Sequence, residues 1–107
     1  GARPVSSTRT STAYRLFALA NTHPAKPGLV RDEAFCGAGI EVEVWSVPQV
    51  AFGGLVALVP PPLAIGSIQL ASGQWVKGFV CEPAGLVGAT EITTFGGWKR
   101  YLADRVS

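Results

Sequence analysis

Three consecutive prolines at residues 60–62 cut the longest apolar run of this 107-residue chain in two. Proline has no backbone N–H and a fixed φ, so neither a helix nor a central strand runs through such a block. The run is therefore no membrane span, which needs about 20 uninterrupted apolar residues. It reads instead as two separate elements. Before the prolines, "PQVAFGGLVALV" suits a short helix with Pro48 in its first turn. Gly53 and Gly54 weaken that helix by about 1 kcal/mol each relative to alanine, so tertiary packing has to hold it. After the prolines, "AIGSIQLASGQWVKGFVCE" predicts a β-hairpin, with Ser72 and Gly73 at the turn between two alternating runs.

The clearest strand is residues 39–47, where Ile40, Val42 and Val44 alternate with Glu41, Glu43 and Trp45. Residues 13–20, "AYRLFALA", form a second strand candidate, and "KPGLVR" a proline-glycine turn leading into a short extended piece. The terminal "TFGGWKRYLADRV" spaces Trp98, Tyr101, Leu102 and Arg105 on one side of a helix, with Lys99, Arg100 and Asp104 toward water. Residues 1–12 are rich in Ser, Thr and Arg without periodicity and read as an exposed lead-in to one domain over residues 13–107. Strands distributed along the chain with few short helices predict an α+β fold. The expected form is a small mixed, mostly antiparallel β-barrel, closed or half-closed, with short peripheral helices.

With 48% hydrophobic and 15% charged residues the composition is globular, and a net charge of +2 without a basic stripe argues against nucleic acid as partner. Two cysteines are no disulfide framework, so Cys36 and Cys81 are expected as reduced thiols in a cytoplasmic protein. No signal peptide is recognisable. Methionine is absent even at position 1, which leads us to expect a processed product or a piece of something longer. The single histidine, His23, has no partner at ligand spacing, so neither a metal nor another cofactor is expected.

Chemistry-bearing groups are few. "GQWVKGFVCEP" places Lys77, Cys81 and Glu82 within six residues, yet strand parity puts Lys77 with Trp75, Phe79 and Cys81, and Glu82 on the opposite face. Only a bulge at Gly78 would reunite them; otherwise this is a half-exposed strand whose lysine stem covers apolar surface. Glu41 and Glu43 share a face, so each can raise the other's pKa as a general acid requires, although such a face is more often simply solvated. Between Ser46 and Gly66 there is no titratable side chain at all, so acid–base work has to come from elsewhere. The paired glycines in "FGGLVALV" and "TFGGWK" are not phosphate loops, and the hydroxyls of "SSTRTST" lack a nucleophile elbow.

From Ala13 to Ala103 the blocks "AYRLFALA", "KPGLVRDE", "GIEVEVWSVP", "PLAIGSIQLASGQWVKGFVCEP" and "TEITTFGGWKRYL" resemble, in order and spacing, the C-terminal domain of allophanate hydrolase. The resemblance implies a γ-glutamylcyclotransferase-like fold, working beside an amidase domain of the same enzyme in urea breakdown and assisting decarboxylation of its carboxylated product. It implies assembly into a homo-oligomer, and an earlier strand and loop not found in this sequence. The amidase Ser–Ser–Lys machinery is absent, as is the glutamate that γ-glutamylcyclotransferases carry after the "VW"-type strand. Hydrolysis by this chain alone is therefore not expected, and γ-glutamylcyclotransferase activity ranks as the more distant alternative. A small anionic, carbamate-like substrate needs cations and an apolar wall. We expect Lys77 and Arg15 to hold the anion, Glu43 to move the proton and Trp45 to form the wall. The rival expectation is a non-catalytic docking module that uses the aromatics of the terminal helix.

Overall fold

The structure, a computed structural model, describes residues 1–105. Seven strands appear in chain order: β1 (Arg3–Arg9), β2 (Tyr14–Ala18), β3 (Pro27–Arg31), β4 (Glu41–Ser46), β5 (Leu63–Gln69), β6 (Trp75–Cys81) and β7 (Thr90–Glu91). Helix α1 (Gln49–Ala57) lies between β4 and β5, and α2 (Trp98–Arg105) ends the described chain. All ladders are antiparallel, in three small sheets: β1–β4, β3–β2–β7 and β5–β6. The expected α+β class and antiparallel pairing are present. A closed barrel is not, because among the described residues no ladder joins the three sheets. A single bridge, Thr10 to Leu70, links the end of β1 to the far end of β5.

The lead-in contains a strand that its sequence did not announce. β1 pairs along β4 from Arg3↔Ser46 to Arg9↔Glu41, with Val5 as the extra residue of a bulge. Nearly all its side chains are exposed, so no apolar alternation marks it; the backbone ladder to β4 holds it in place. The β5–β6 hairpin forms as expected, around a three-residue loop. Leu70 N–H donates to Gln74 O and Gly73 N–H to Leu70 O, at 2.8 and 2.9 Å. Gly73 takes φ +93°, the left-handed position that a loop of this length reserves for glycine.

Tyr14, Leu16, Leu29, Ile40, Ile68 and Ile92 form the buried core, with Val76, Val80, Phe95, Trp98 and Tyr101 packed around them. The Tyr14 hydroxyl accepts from Gln69 N–H at 2.9 Å, which satisfies the one polar atom of this buried ring. α2 starts at Trp98, after Gly96 in a left-handed conformation, rather than at Thr94. Its aromatics turn inward: Tyr101 meets Phe95 edge-on and Trp98 at a tilt, each with ring centroids 5.3 Å apart. This corrects the expectation that α2 offers exposed aromatics to a partner; only Leu102 among its large apolar residues is exposed. Val106, the last residue of the expected helix, lies outside the described residues. Among the described residues no helix is long and apolar enough to cross a membrane.

Candidate functional site

Because the three sheets do not close, the core opens into a cavity of about 920 Å³, at the upper end of the range of ligand pockets. Its floor is core: Leu16, Leu29, Ile40 and Ile68. Five successive residues of β4, 41–45, line one side, and four of β6, 76–79, line another. Side chains of one strand face alternate between faces, so consecutive lining residues mean that the strand's edge borders the cavity. β4 pairs only with β1, and β6 only with β5. Phe52 and Leu55 of α1 and Ile65 of β5 complete an almost wholly apolar wall, in which Glu41, Glu43, Gln49 and Lys77 are the polar or charged members.

Three of the four expected site residues, Glu43, Trp45 and Lys77, line this cavity. Trp45 is half exposed there. The charged groups of the other two are engaged elsewhere. Lys77 Nζ donates to Ser67 Oγ at 2.8 Å, its direct cross-strand partner, and Ser67 does not line the cavity. Glu43 Oε1 forms an ion pair with Lys99 Nζ, 2.9 Å away. Its neighbour Glu41 receives Arg9 and Arg100 on one oxygen. Lys99 and Arg100 sit in the first turn of α2, where the helix dipole is positive and cations are unfavourable. The two β4 carboxylates thus supply the counter-charge that this helix start lacks, and they border both the cavity and a second concavity that Ser7 and Thr8 also line. Both β4 carboxylates are therefore ion-paired with the start of α2.

Arg15, the fourth expected site residue, does not line this cavity, and its guanidinium is engaged by two carboxylates. Its Nε donates to Asp32 Oδ2 at 3.0 Å and its Nη1 to Glu91 Oε2 at 2.9 Å, while the guanidinium lies 4.1 Å from the Phe35 ring centre. The hydrogen bond to Asp32, then that to Glu91, raises the Arg15 pKa above its ordinary value. Arg15 in turn holds Asp32 below the usual carboxylate range, helped by Ala34 N–H. Glu91 is lowered first by the Thr93 hydroxyl and then by Arg15. This cluster ties β2 to the loop after β3 and to β7.

The Lys77–Cys81–Glu82 cluster does not form. The β5–β6 register runs without a break through Gly66↔Gly78, so no bulge reverses the parity. At Gly78 a Cβ would lie 2.7 Å from Ile68 Cδ1, the tip of a side chain that packs across it. Cys36 and Cys81 are unpaired. Burial, and then the nearby Glu82, push the Cys81 thiol up, away from the nucleophilic thiolate. Sequence reasoning missed the apolar lining, Phe52, Leu55, Ile65 and Phe79. The uncharged stretch from Ser46 to Gly66 was the signal for most of them, because Phe52, Leu55 and Ile65 within it border the cavity together with Val47 and Gln49. Among the described residues no three His, Cys, Asp or Glu side chains gather as a metal site.

Short antiparallel ladders around a half-open apolar cavity, with two short helices, define a small mixed α+β domain. The allophanate hydrolase C-terminal domain model matches residues 1–103. The chain is 48% identical over 99 residues to urea amidolyase of Saccharomyces cerevisiae, an alignment covering 90% of this chain and 5% of that protein. The solved Kluyveromyces lactis allophanate hydrolase superposes with a TM-score of 0.92 at 46% identity, over 99% of this chain and 18% of that one. A uropathogenic E. coli-specific protein superposes with a TM-score of 0.85 at 35% identity, over 96% of this chain and 78% of that one. The chain belongs to the allophanate hydrolase C-terminal domain family. It spans less than a fifth of the two yeast relatives.

Proposed function

We propose that this domain, beside an amidase domain of the same enzyme in the cytoplasm, takes up the carboxylated product of allophanate cleavage and assists its decarboxylation. The observation that carries this reading is the cavity itself, whose wall is apolar except for a few groups that include Glu43 and Lys77. A carboxylate is poorly solvated against such a wall, and loss of neutral carbon dioxide relieves that cost. Lys77 exchanges Ser67 for the substrate carboxylate at the mouth and orients it. The C–N bond then breaks, its electron pair stays on nitrogen, and Glu43 relays a proton from water to that nitrogen as carbon dioxide leaves. Trp45 keeps the reacting carbon dry. Two unpaired thiols fit a reducing compartment.

The rival reading, a docking module within a homo-oligomer, draws on α1 and its C-terminal cap, where Val50 and Leu58 are 91% and 80% exposed. The two readings separate in the enzyme that carries this domain, with carbon dioxide and ammonia release timed independently. Lys77→Ala and Glu43→Ala are each expected to slow carbon dioxide release at least about tenfold, within the usual worth of an acid–base group, with the amidase step unchanged. Unchanged carbon dioxide release in both variants rules the catalytic reading out.

A further inference from the structure

α1 combines features that a permanently packed helix does not. It is apolar on every side, and no residue of it is buried. It is not among the elements that pack substantially on one another. Gln49, Phe52 and Leu55, at successive three-residue steps, line the cavity, while Val50, and Leu58 at the C-terminal cap, stand in water. A helix without a polar face is not turned one way by water, so nothing but the cavity fixes its orientation.

Its ends and middle are equally unusual. The N-terminal Pro48 offers no side-chain cap, the first turn has no acid and the last turn no base. Nine residues are too few for a helix to hold itself in water. In mid-helix stand Gly53 and Gly54, and a Cβ on either would meet nothing within 4 Å. Packing therefore does not require glycine there, although alanine would make a more stable helix. The prolines on either side, Pro48 and residues 60–62, stiffen the approaches and leave the softest point between Phe52 and Leu55.

We propose that α1 is a hinged lid over the apolar cavity. It opens by losing helical turns around Gly53 and Gly54, and closes by seating Phe52 and Leu55 over a ligand held between β4 and β6. Lids are drawn from the least stable parts of a fold, and their opening limits ligand entry. The proposal needs the cavity but not any particular reaction within it.

Two measurements on the 107-residue chain test this. Amide hydrogen exchange across α1 is expected at least about 100-fold faster than in β2 and β3, the range between local and global opening. In the double variant Gly53→Ala/Gly54→Ala, exchange across α1 is expected to slow roughly 30-fold, from the helix propensities of the two residues. The association rate of anilinonaphthalene sulfonate, an apolar fluorescent anion, is expected to fall with it in stopped-flow mixing. Core-like protection of α1 in the unaltered chain overturns the lid, and a second copy seated on α1 would give that result. So does a probe association rate that stays the same once exchange across α1 has slowed.

Discussion

The Thr10 side chain, 1% exposed, accepts a hydrogen bond from Ile40 N–H at 2.9 Å and donates one to Ser11 O at 2.8 Å. Its backbone N–H donates to Ile40 O, and its bridge to Leu70 is the sole ladder contact between the sheet of β1 and the sheet of β5 among the described residues. Thr10→Val keeps the shape but leaves the buried Ile40 N–H without an acceptor. It is expected to cost about 1–3 kcal/mol in urea unfolding, and Thr10→Ser clearly less. In the sequence this threonine is one of six hydroxyls in "SSTRTST", and nothing distinguishes it. Arg15 shows the same limit. Its strand was legible, but whether its guanidinium would meet a substrate or two carboxylates depended on Asp32 and on Glu91, 76 residues away.

At the scale of elements, legibility followed periodicity. β4 and β6 were read with correct parity because two-residue alternation is a property of the extended backbone itself. β1 was not, since a strand with both faces in water has no apolar pattern to read. The hairpin was placed correctly, and its loop length was settled by the turn. At Gly73, φ +93° meets open space on all sides, so the cost of adding a Cβ is purely conformational. Gly73→Ala is expected to destabilise by about 1–2 kcal/mol with the β5–β6 register retained, as read from urea midpoints and cross-strand nuclear Overhauser contacts. α2 was recognised from its helical spacing, but the need for Glu41 and Glu43 opposite its first turn emerged only with β4 packed beside it.

For the molecule as a whole, the Arg15 cluster predicts how stability responds to acid. Asp32 and Glu91 both titrate lower in the folded chain than free carboxyls do. A lowered folded pKa stabilises above the unfolded value, near pH 4 for ordinary carboxyls, and that stabilisation disappears as pH falls through the folded one. Unfolding midpoints are therefore expected to hold from neutrality to about pH 5 and to fall below about pH 4. Arg15→Met should lower the neutral plateau and flatten the acid limb. A limb as steep as in the unaltered chain would place the acid sensitivity elsewhere.

The class of fold, the places of β4, the hairpin and both helices, and the family are all legible in the chain before it folds, because they rest on local backbone periodicity and on ordered blocks of residues. The tertiary structure alone decided which groups meet. It brought Glu43, Trp45 and Lys77 to one apolar cavity and took Arg15 away from it. It also engaged the two β4 carboxylates at the start of α2. The physical reason is range: strand parity is set by adjacent residues, whereas an ion pair or a cavity wall depends on segments that only the folded chain brings together.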